Sequence, residues 1–296
     1  MTRRRGAIYF NPSSGARDPE MPSEVRSAAE DAGLEFIELQ KSLDVQADIR
    51  ARMDAGERMF IASGGDGTIH TVAQPLVGSD AILGILPTGT FNHFARDLKI
   101  PLDWREALEV AIHGEVIDVD TAKVNEYYFL NNISIGIYPE IVEHREQFRK
   151  LGKWKAYRKA VWQTLRKLHH VSLVVESEHN MEAIRTHVFL VSVNPYDVFT
   201  FGLIAPRTTL GGGQLCAYWL PHMQKIQLIR TLARYFRGKM EPGGDVRSLR
   251  TAALRVQTSR SKLKVGMDGE LYEMKTPLVM SLVPMSLRVK VPRTVA

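Results

Sequence analysis

Ile61-Ala62-Ser63-Gly64-Gly65-Asp66-Gly67-Thr68 is the stretch whose reading decides the fold. An apolar run that enters consecutive glycines and then helix formers reads as strand, tight turn and helix. Glycines at the turn have no Cβ, so backbone N–H groups can come up against an anion. The helix N-terminus that follows adds favourable partial charge for a phosphate. Asp66 is out of place in a bare anion site, because it repels phosphate unless a Mg²⁺ lies between them or it orients neighbouring groups. The segment therefore points to a metal-nucleotide. The competing reading is an ordinary glycine turn with an exposed aspartate.

Around this stretch, strand-like and helix-like segments alternate. Strands are expected at residues 6–10, 34–39, 58–62 and 81–86, and helices at 20–32, 45–55 and 68–77, the first two helices closing at Gly33 and Gly56. Such alternation argues for βαβ units and a parallel sheet, in which ligands bind beyond the carboxyl ends of the strands. After about residue 122 the texture changes. Strand-like runs at 127–131, 172–176, 186–193, 214–220, 253–258, 262–267, 278–283 and 287–291 follow one another with turns between most of them, the pattern of an antiparallel sandwich. Helical insertions are expected at 140–169 and 225–236. The resulting expectation is an α/β plus β protein. A Rossmann-like nucleotide-binding domain over residues 1–121, with a last strand near 287–296 returning to it, precedes an antiparallel β-sandwich domain over 122–286. The active site is expected in the cleft between them.

Two further loops belong with the glycine turn. Asn11-Pro12-Ser13-Ser14-Gly15 follows the first strand and offers donors suited to phosphate, although such a loop is by itself usually a turn. Leu86-Pro87-Thr88-Gly89-Thr90-Phe91-Asn92-His93-Phe94 again runs from a strand through Pro and Gly into a helix, placing the Thr90 hydroxyl and the Asn92 amide at the sheet's edge. His93 reads as a helix-surface residue. Three loops from three strand ends of one sheet would converge on a single pocket. Far along the chain, Met267-Asp268-Gly269-Glu270 is either a plain Asp-Gly hairpin turn or the source of a carboxylate for the attacking hydroxyl in phosphoryl transfer.

Composition narrows the partners. With 44% hydrophobic and 24% charged residues in 296, the chain is of ordinary globular make-up, which argues against disorder. Its single cysteine, Cys216, can form no internal disulfide and reads as a small core residue. No apolar run approaches the roughly 20 residues that span a bilayer. The basic start, Met1 to Arg5, is followed by too short an apolar run for a signal peptide. The expected location is cytoplasmic. The net charge of +6 favours anionic partners, a nucleotide or an anionic membrane among them. Nucleic acid is not expected, since no recognisable nucleic-acid-binding module accompanies the charge.

Taken together and in this order, the four segments resemble the diacylglycerol-kinase catalytic family, which includes sphingosine and ceramide kinases and bacterial lipid kinases. The family's Asn-Pro-x-Ser-Gly loop matches Asn11, Pro12, Ser14 and Gly15, and its Gly-Gly-Asp-Gly-Thr motif matches Gly64, Gly65, Asp66, Gly67 and Thr68. Its Pro-x-Gly-Thr-x-Asn-x-Phe-Ala motif matches Pro87, Gly89, Thr90, Asn92, Phe94 and Ala95, and its Asp-Gly-Glu matches Asp268, Gly269 and Glu270. Residues 129–136 and 274–278 also look like a bacterial branch. The glycine motif is shared with NAD kinases and phosphofructokinases, but the Thr90–Asn92 motif sets this sequence apart from both.

The resemblance implies transfer of the γ-phosphate of Mg-ATP to a membrane-lipid hydroxyl, with diacylglycerol giving phosphatidic acid, as part of phospholipid biosynthesis. It implies ATP contacts at Asn11, Ser14, Gly15, Gly64, Gly65, Asp66, Gly67, Thr68, Thr90 and Asn92, with Mg²⁺ at Asp66. Catalysis would fall to Asp66 and to the pair Asp268 and Glu270, one of which is the base. Other acceptors (a sphingoid base, phosphatidylglycerol or NAD) and a catalytically silent nucleotide- or lipid-binding regulator are the alternatives. Retention of Asp66, Thr90, Asp268 and Glu270 counts against the silent form. One departure concerns a stretch that in the family often carries a metal-binding Asp. Here it reads Leu210-Gly211-Gly212-Gly213-Gln214-Leu215, without a carboxylate.

Residues 144–170 are rich in Lys and Arg, and on a helix Trp154, Tyr157, Val161, Leu165 and Leu168 share a face. This pattern suits peripheral association with an anionic membrane; its bland alternative is an aromatic face packed on the sandwich. Reversing charge at Lys155, Arg158 and Lys159 is expected to weaken vesicle binding, at about 1 kcal/mol per well-placed cation. Co-sedimentation with anionic vesicles at low and high salt measures it. Binding that is salt-insensitive and unchanged would leave the segment with a packing role only.

Overall fold

A computed structural model describes residues 5–14, 19–137, 139–140, 170–178, 180–196, 209–221, 227, 231 and 246–293. Gly15, all of the basic stretch except His170, and most of residues 225–236 lie outside them. The chain forms two compact units, Met1–Thr121 with Pro284–Ala296, and Ala122–Val283.

The first unit is built on the parallel strands β1 (Gly6–Phe10), β2 (Leu34–Glu38), β3 (Met59–Gly64) and β4 (Ile82–Pro87). Every residue of β1 is buried, and so are nearly all of β3 and β4. Strands covered on both faces read as continuous apolar runs, and these do. The order is β2-β1-β3-β4, with Ile8 opposite Phe36 on one side and Ile61 on the other. The connections that leave β1 (to β2) and β3 (to β4) run in opposite directions, so the switch point of the sheet lies between the carboxyl ends of β1 and β3.

Helices α1 (Met21–Asp31), α2 (Val45–Asp54), α3 (Asp66–Ala73), α4 (His93–Asp97) and α5 (Trp104–His113) cover the sheet. Their ends follow ordinary capping chemistry. The Asp44 carboxylate accepts from Ala47 N–H, Asp103 accepts from Arg105 and Glu106 N–H, and α1 gives way to Gly33 at φ 70°. Successive strand residues face opposite ways. Ile8, Phe10, Ile61 and Leu86 pack with Met21, Val25 and Ala29 of α1 and Leu108 and Ala111 of α5. Tyr9 points to the other face, where its hydroxyl donates to Asp48 of α2 at 2.6 Å.

The sequence places the helix after the glycine turn at 68–77. It begins two residues earlier, so Asp66 and Gly67 form its first turn, and it stops where Pro75 turns Gln74–Leu76 into a 3-10 turn.

The second unit is an antiparallel sandwich. Its strands are the end of β5 (Glu115–Val124), β6 (Tyr127–Phe129), β7 (Asn132–Gly136), β8 (Val171–Ser177), β9 (Met181–Thr186), β10 (Val188–Val193), β11 (Leu215–Trp219), β12 (Arg247–Thr251), β13 (Ala253–Gln257), β14 (Lys262–Met267), β15 (Glu270–Lys275) and the start of β16 (Leu278–Val291). One sheet runs β12-β11-β10-β7-β14-β15, and the facing layer runs from the start of β16 through β13 and β8 to β9. Phe129, Ile133, Phe189, Val191, Leu254, Val256, Val265 and Met280 fill the space between them.

The apolar pattern misses β5, β7, β9, β12 and β15; of these β9, β12 and β15 end their sheets and carry charges on exposed positions, the ordinary protection of a sheet edge. The two runs expected at 278–283 and 287–291 are one strand. Pro284 reads as a break, but Met285 N–H bonds to Asp120 Oδ1 at 2.9 Å and Ser286 Oγ to Thr121 Oγ1 at 2.8 Å, so the strand continues. Its far end joins the first unit's sheet, Arg288 and Val289 lying parallel to Ile82 and Leu83.

A polar cluster seats α2. Arg52 bonds Glu35 of β2 at 2.9 Å, Asp48 at 2.9 Å and Glu57, just before β3, at 3.2 Å. Burial, followed by the bond to Asp48, pushes the Tyr9 phenol well above its usual range. Removing the guanidinium would leave three neighbouring carboxylates without their counter-charge. Arg52→Met is expected to cost roughly 2–3 kcal/mol, measured as a lower midpoint of urea unfolding. An unchanged midpoint would show the cluster to be solvated surface.

Candidate active site

The carboxyl ends of β1, β3 and β4 carry the three polar loops, and the loops are bonded to one another. Asn11 N–H donates to Ser63 O at 2.9 Å, and its side-chain Nδ2 donates to Thr68 Oγ1 at 2.9 Å. The Ser14 and Thr88 hydroxyls lie 3.0 Å apart, and Thr88 N–H donates to Gly64 O at 3.1 Å. Each loop is thus tied to the other two.

Glycine is required at the centre. A Cβ on Gly64 would run into the Thr68 side chain, and one on Gly89 would run into the Gly65 Cα and the Asn92 amide oxygen. Gly65 caps α3 in an extended conformation (φ −87°, ψ −175°) and brings no side-chain oxygen to the first-turn N–H groups. A helix whose cap is bare in this way offers those donors to an external acceptor.

Asp66 stands at the first position of α3, half-buried, and its Oδ1 accepts from Phe94 N–H of α4 at 3.4 Å. Thr90 is exposed and Thr68 buried. Asn92 is 5% exposed at φ 52°, and its Nδ2 donates to Pro87 O at 3.0 Å and Gly89 O at 3.2 Å. Its amide therefore turns inward onto its own loop. His93 is half-buried and stacks on Phe91 with ring centroids 5.6 Å apart. Of the sequence-derived nucleotide contacts, Asn11, Ser14, Gly64, Gly65, Asp66, Gly67, Thr68, Thr90 and Asn92 all belong to these three loops and the start of α3. Gly15 lies outside the described residues.

In the second unit, Asp268 (φ 47°) and Gly269 (φ 89°) form the two-residue turn between β14 and β15, with left-handed geometry at both positions as such hairpins require. The turn is also anchored. Asp268 is 4% exposed, and its carboxylate accepts from three consecutive backbone groups: Leu130 N at 2.7 Å, Asn131 N at 2.8 Å and Asn132 N at 3.1 Å. Those donors come from the bend between β6 and β7. The motif reading of Asp268 did not foresee them, because backbone groups leave no signature in side-chain patterns. Glu270 is exposed and accepts from the Tyr272 hydroxyl at 3.3 Å. Burial and then the charge of Glu270 push that phenol above its usual range.

Among the described residues no group of three or more His, Cys, Asp and Glu side chains is gathered as a metal site. At the glycine run, Gln214 N–H donates to Asn194 Oδ1 at 3.3 Å.

Comparison with known proteins matches both parts of the chain to known families. The family model of the diacylglycerol kinase catalytic domain matches residues 5–124, and that of the YegS C-terminal NAD kinase β-sandwich-like domain matches residues 131–291. A diacylglycerol kinase of Bacillus subtilis (strain 168) is 30% identical over 277 residues, covering 90% of each chain. A diacylglycerol kinase of Staphylococcus aureus (strain MRSA252) is 27% identical over 282 residues, covering 93% of this chain and 88% of its own. The crystal structure of a diacylglycerol kinase from Bacillus anthracis (strain Sterne) superposes over 100% of both chains with a TM-score of 0.76 at 21% identity, which fixes the fold. With three polar loops bonded together at the carboxyl ends of its parallel strands and relatives matching along nearly its whole length, the chain belongs to the diacylglycerol kinase family of lipid kinases.

Proposed function

We propose that this protein transfers the γ-phosphate of Mg-ATP to the hydroxyl of diacylglycerol, giving phosphatidic acid for phospholipid synthesis. The observation that carries the reading is the mutual bonding of the three loops around the bare N-terminus of α3, with Asp66 in its first turn. The proposed acceptor follows the named activity of the relatives.

The triphosphate would lie on the N–H groups of α3's first turn and on the hydroxyls of Ser14 and Thr90. One carboxylate with little other protein ligation suits Mg²⁺, which is commonly held by one or two carboxylates together with substrate phosphates. Asp66 fits that role, and the bound ion would neutralise charge developing on the phosphoryl oxygens. In the transfer, the lipid oxygen forms a bond to the γ-phosphorus, the bond from that phosphorus to the bridging oxygen breaks, and ADP departs. The hydroxyl proton goes to a carboxylate of the pair Asp268 and Glu270. Three backbone N–H groups donate to the Asp268 oxygens, whereas among the described residues the exposed Glu270 accepts from the Tyr272 hydroxyl. We therefore assign proton acceptance to Glu270 and anchoring of its turn to Asp268. A net charge of +6 supports encounter with an anionic membrane, where the acceptor resides.

Labelled ATP with mixed micelles of diacylglycerol, a sphingoid base or phosphatidylglycerol, and with NAD in solution, tests the substrate. Labelled phosphatidic acid is the expected product, and label on NAD alone would overturn the lipid reading. Asp66→Asn keeps an oxygen for Phe94 N–H and is expected to lower turnover about 10²–10³-fold with folding intact by circular dichroism. Turnover close to wild type would remove Asp66 from the site. Glu270→Gln should lower turnover about 10²-fold at unchanged stability. Asp268→Asn should also cost about 1–3 kcal/mol of stability, because an amide nitrogen then faces backbone N–H groups. A Glu270→Gln enzyme that retains turnover would move proton acceptance to Asp268.

A further inference from the structure

Asn92 is a polar side chain placed where water does not reach. Its Nδ2 is consumed by Pro87 O and Gly89 O, and its buried Oδ1 has no hydrogen-bond partner. An orphaned buried acceptor destabilises the fold, and a left-handed backbone at a non-glycine residue adds strain. A cost of this kind persists where the surrounding geometry is useful.

The amide does two things there. By bonding both Pro87 O and Gly89 O, it folds the β4 loop back so that the Gly89 backbone lies against Gly65, the cap of α3. By turning the chain at φ 52° immediately before α4, it also aims Phe94 N–H at Asp66 Oδ1, 3.4 Å away. One side chain thus sets both the backbone wall beside the helix N-terminus and the direction of the carboxylate in its first turn.

We propose that Asn92 is a positioning residue for Mg-nucleotide binding, acting through Gly89 and Asp66 rather than as a ligand of the nucleotide. The inference rests on the nucleotide reading of this crevice. It differs from a plain structural role in one respect. Deleting the amide removes the unsatisfied acceptor, so stability and nucleotide binding should part company, as they do where a site holds strain for function.

Asn92→Gly keeps access to the left-handed turn and removes both the two bonds and the orphaned oxygen. Asn92→Asp keeps the size and turn but presents an oxygen to two carbonyls, and it serves if the glycine variant folds poorly. Calorimetric titration of the full-length protein with Mg²⁺ and a non-hydrolysable ATP analogue gives Kd, the Mg²⁺ dependence of lipid phosphorylation gives the half-saturating Mg²⁺ concentration, and thermal unfolding gives Tm. For Asn92→Gly we expect Kd and half-saturating Mg²⁺ each to rise about tenfold or more, with Tm within about 2 °C of wild type and KM for lipid unchanged. Unchanged Kd in a folded variant, or parallel loss of Tm and affinity in both variants, overturns the positioning role. Failure of the wild-type protein to bind the analogue would overturn the nucleotide reading along with it, and that result is visible before any variant is compared.

Discussion

Two stretches of backbone, at Gly65 and Gly89, meet in this protein with no side chain between them. Much of the candidate site depends on that contact. It allows the β4 loop to close over the start of α3, so that Thr88 can bond Gly64 and Ser14 can reach Thr88. Any other residue at Gly89 would run into Gly65 and Asn92 and pry the loops apart. The contact has little affinity of its own. It works by excluding alternatives, which is how preorganised sites reduce the cost of binding.

The two acidic elements show contrasting solutions to the same problem, the holding of a carboxylate in place. Asp66 is held by its position in a helix and accepts from Phe94 N–H at 3.4 Å. Asp268 is fixed by three short bonds from a bend more than a hundred residues earlier in the chain. The first arrangement keeps the side chain at the start of a helix. The second satisfies the charge internally and makes the side chain part of the scaffold.

The parallel sheet was legible because its strands are buried on both faces and appear as apolar runs between glycine stops. The sandwich was legible in most of its interior strands, though not in β7 with its Asn132 and Ser134, and obscure at its borders, where β9, β12 and β15 mix charge with apolar residues. At the site, the loops announced themselves through Gly, Asn, Ser and Thr at strand ends. Two features stayed hidden. The inward turn of Asn92 depends on where the Pro87 and Gly89 carbonyls point, and the anchoring of Asp268 depends on backbone donors at Leu130, Asn131 and Asn132. Side-chain identity alone encodes neither.

The late strand β16 has a consequence for biosynthesis. β4 pairs with β3 on one side, but on the other side its neighbour, Arg288 and Val289 of β16, comes only after all of the sandwich has been translated. While the ribosome makes the intervening residues, the nascent α/β unit carries a buried-type strand with an open, hydrogen-bond-hungry edge. Such an edge is a template for pairing with another chain. Translation pauses or premature stops between β4 and β16 would therefore lengthen the exposure of that edge, and chaperone demand should concentrate in that window.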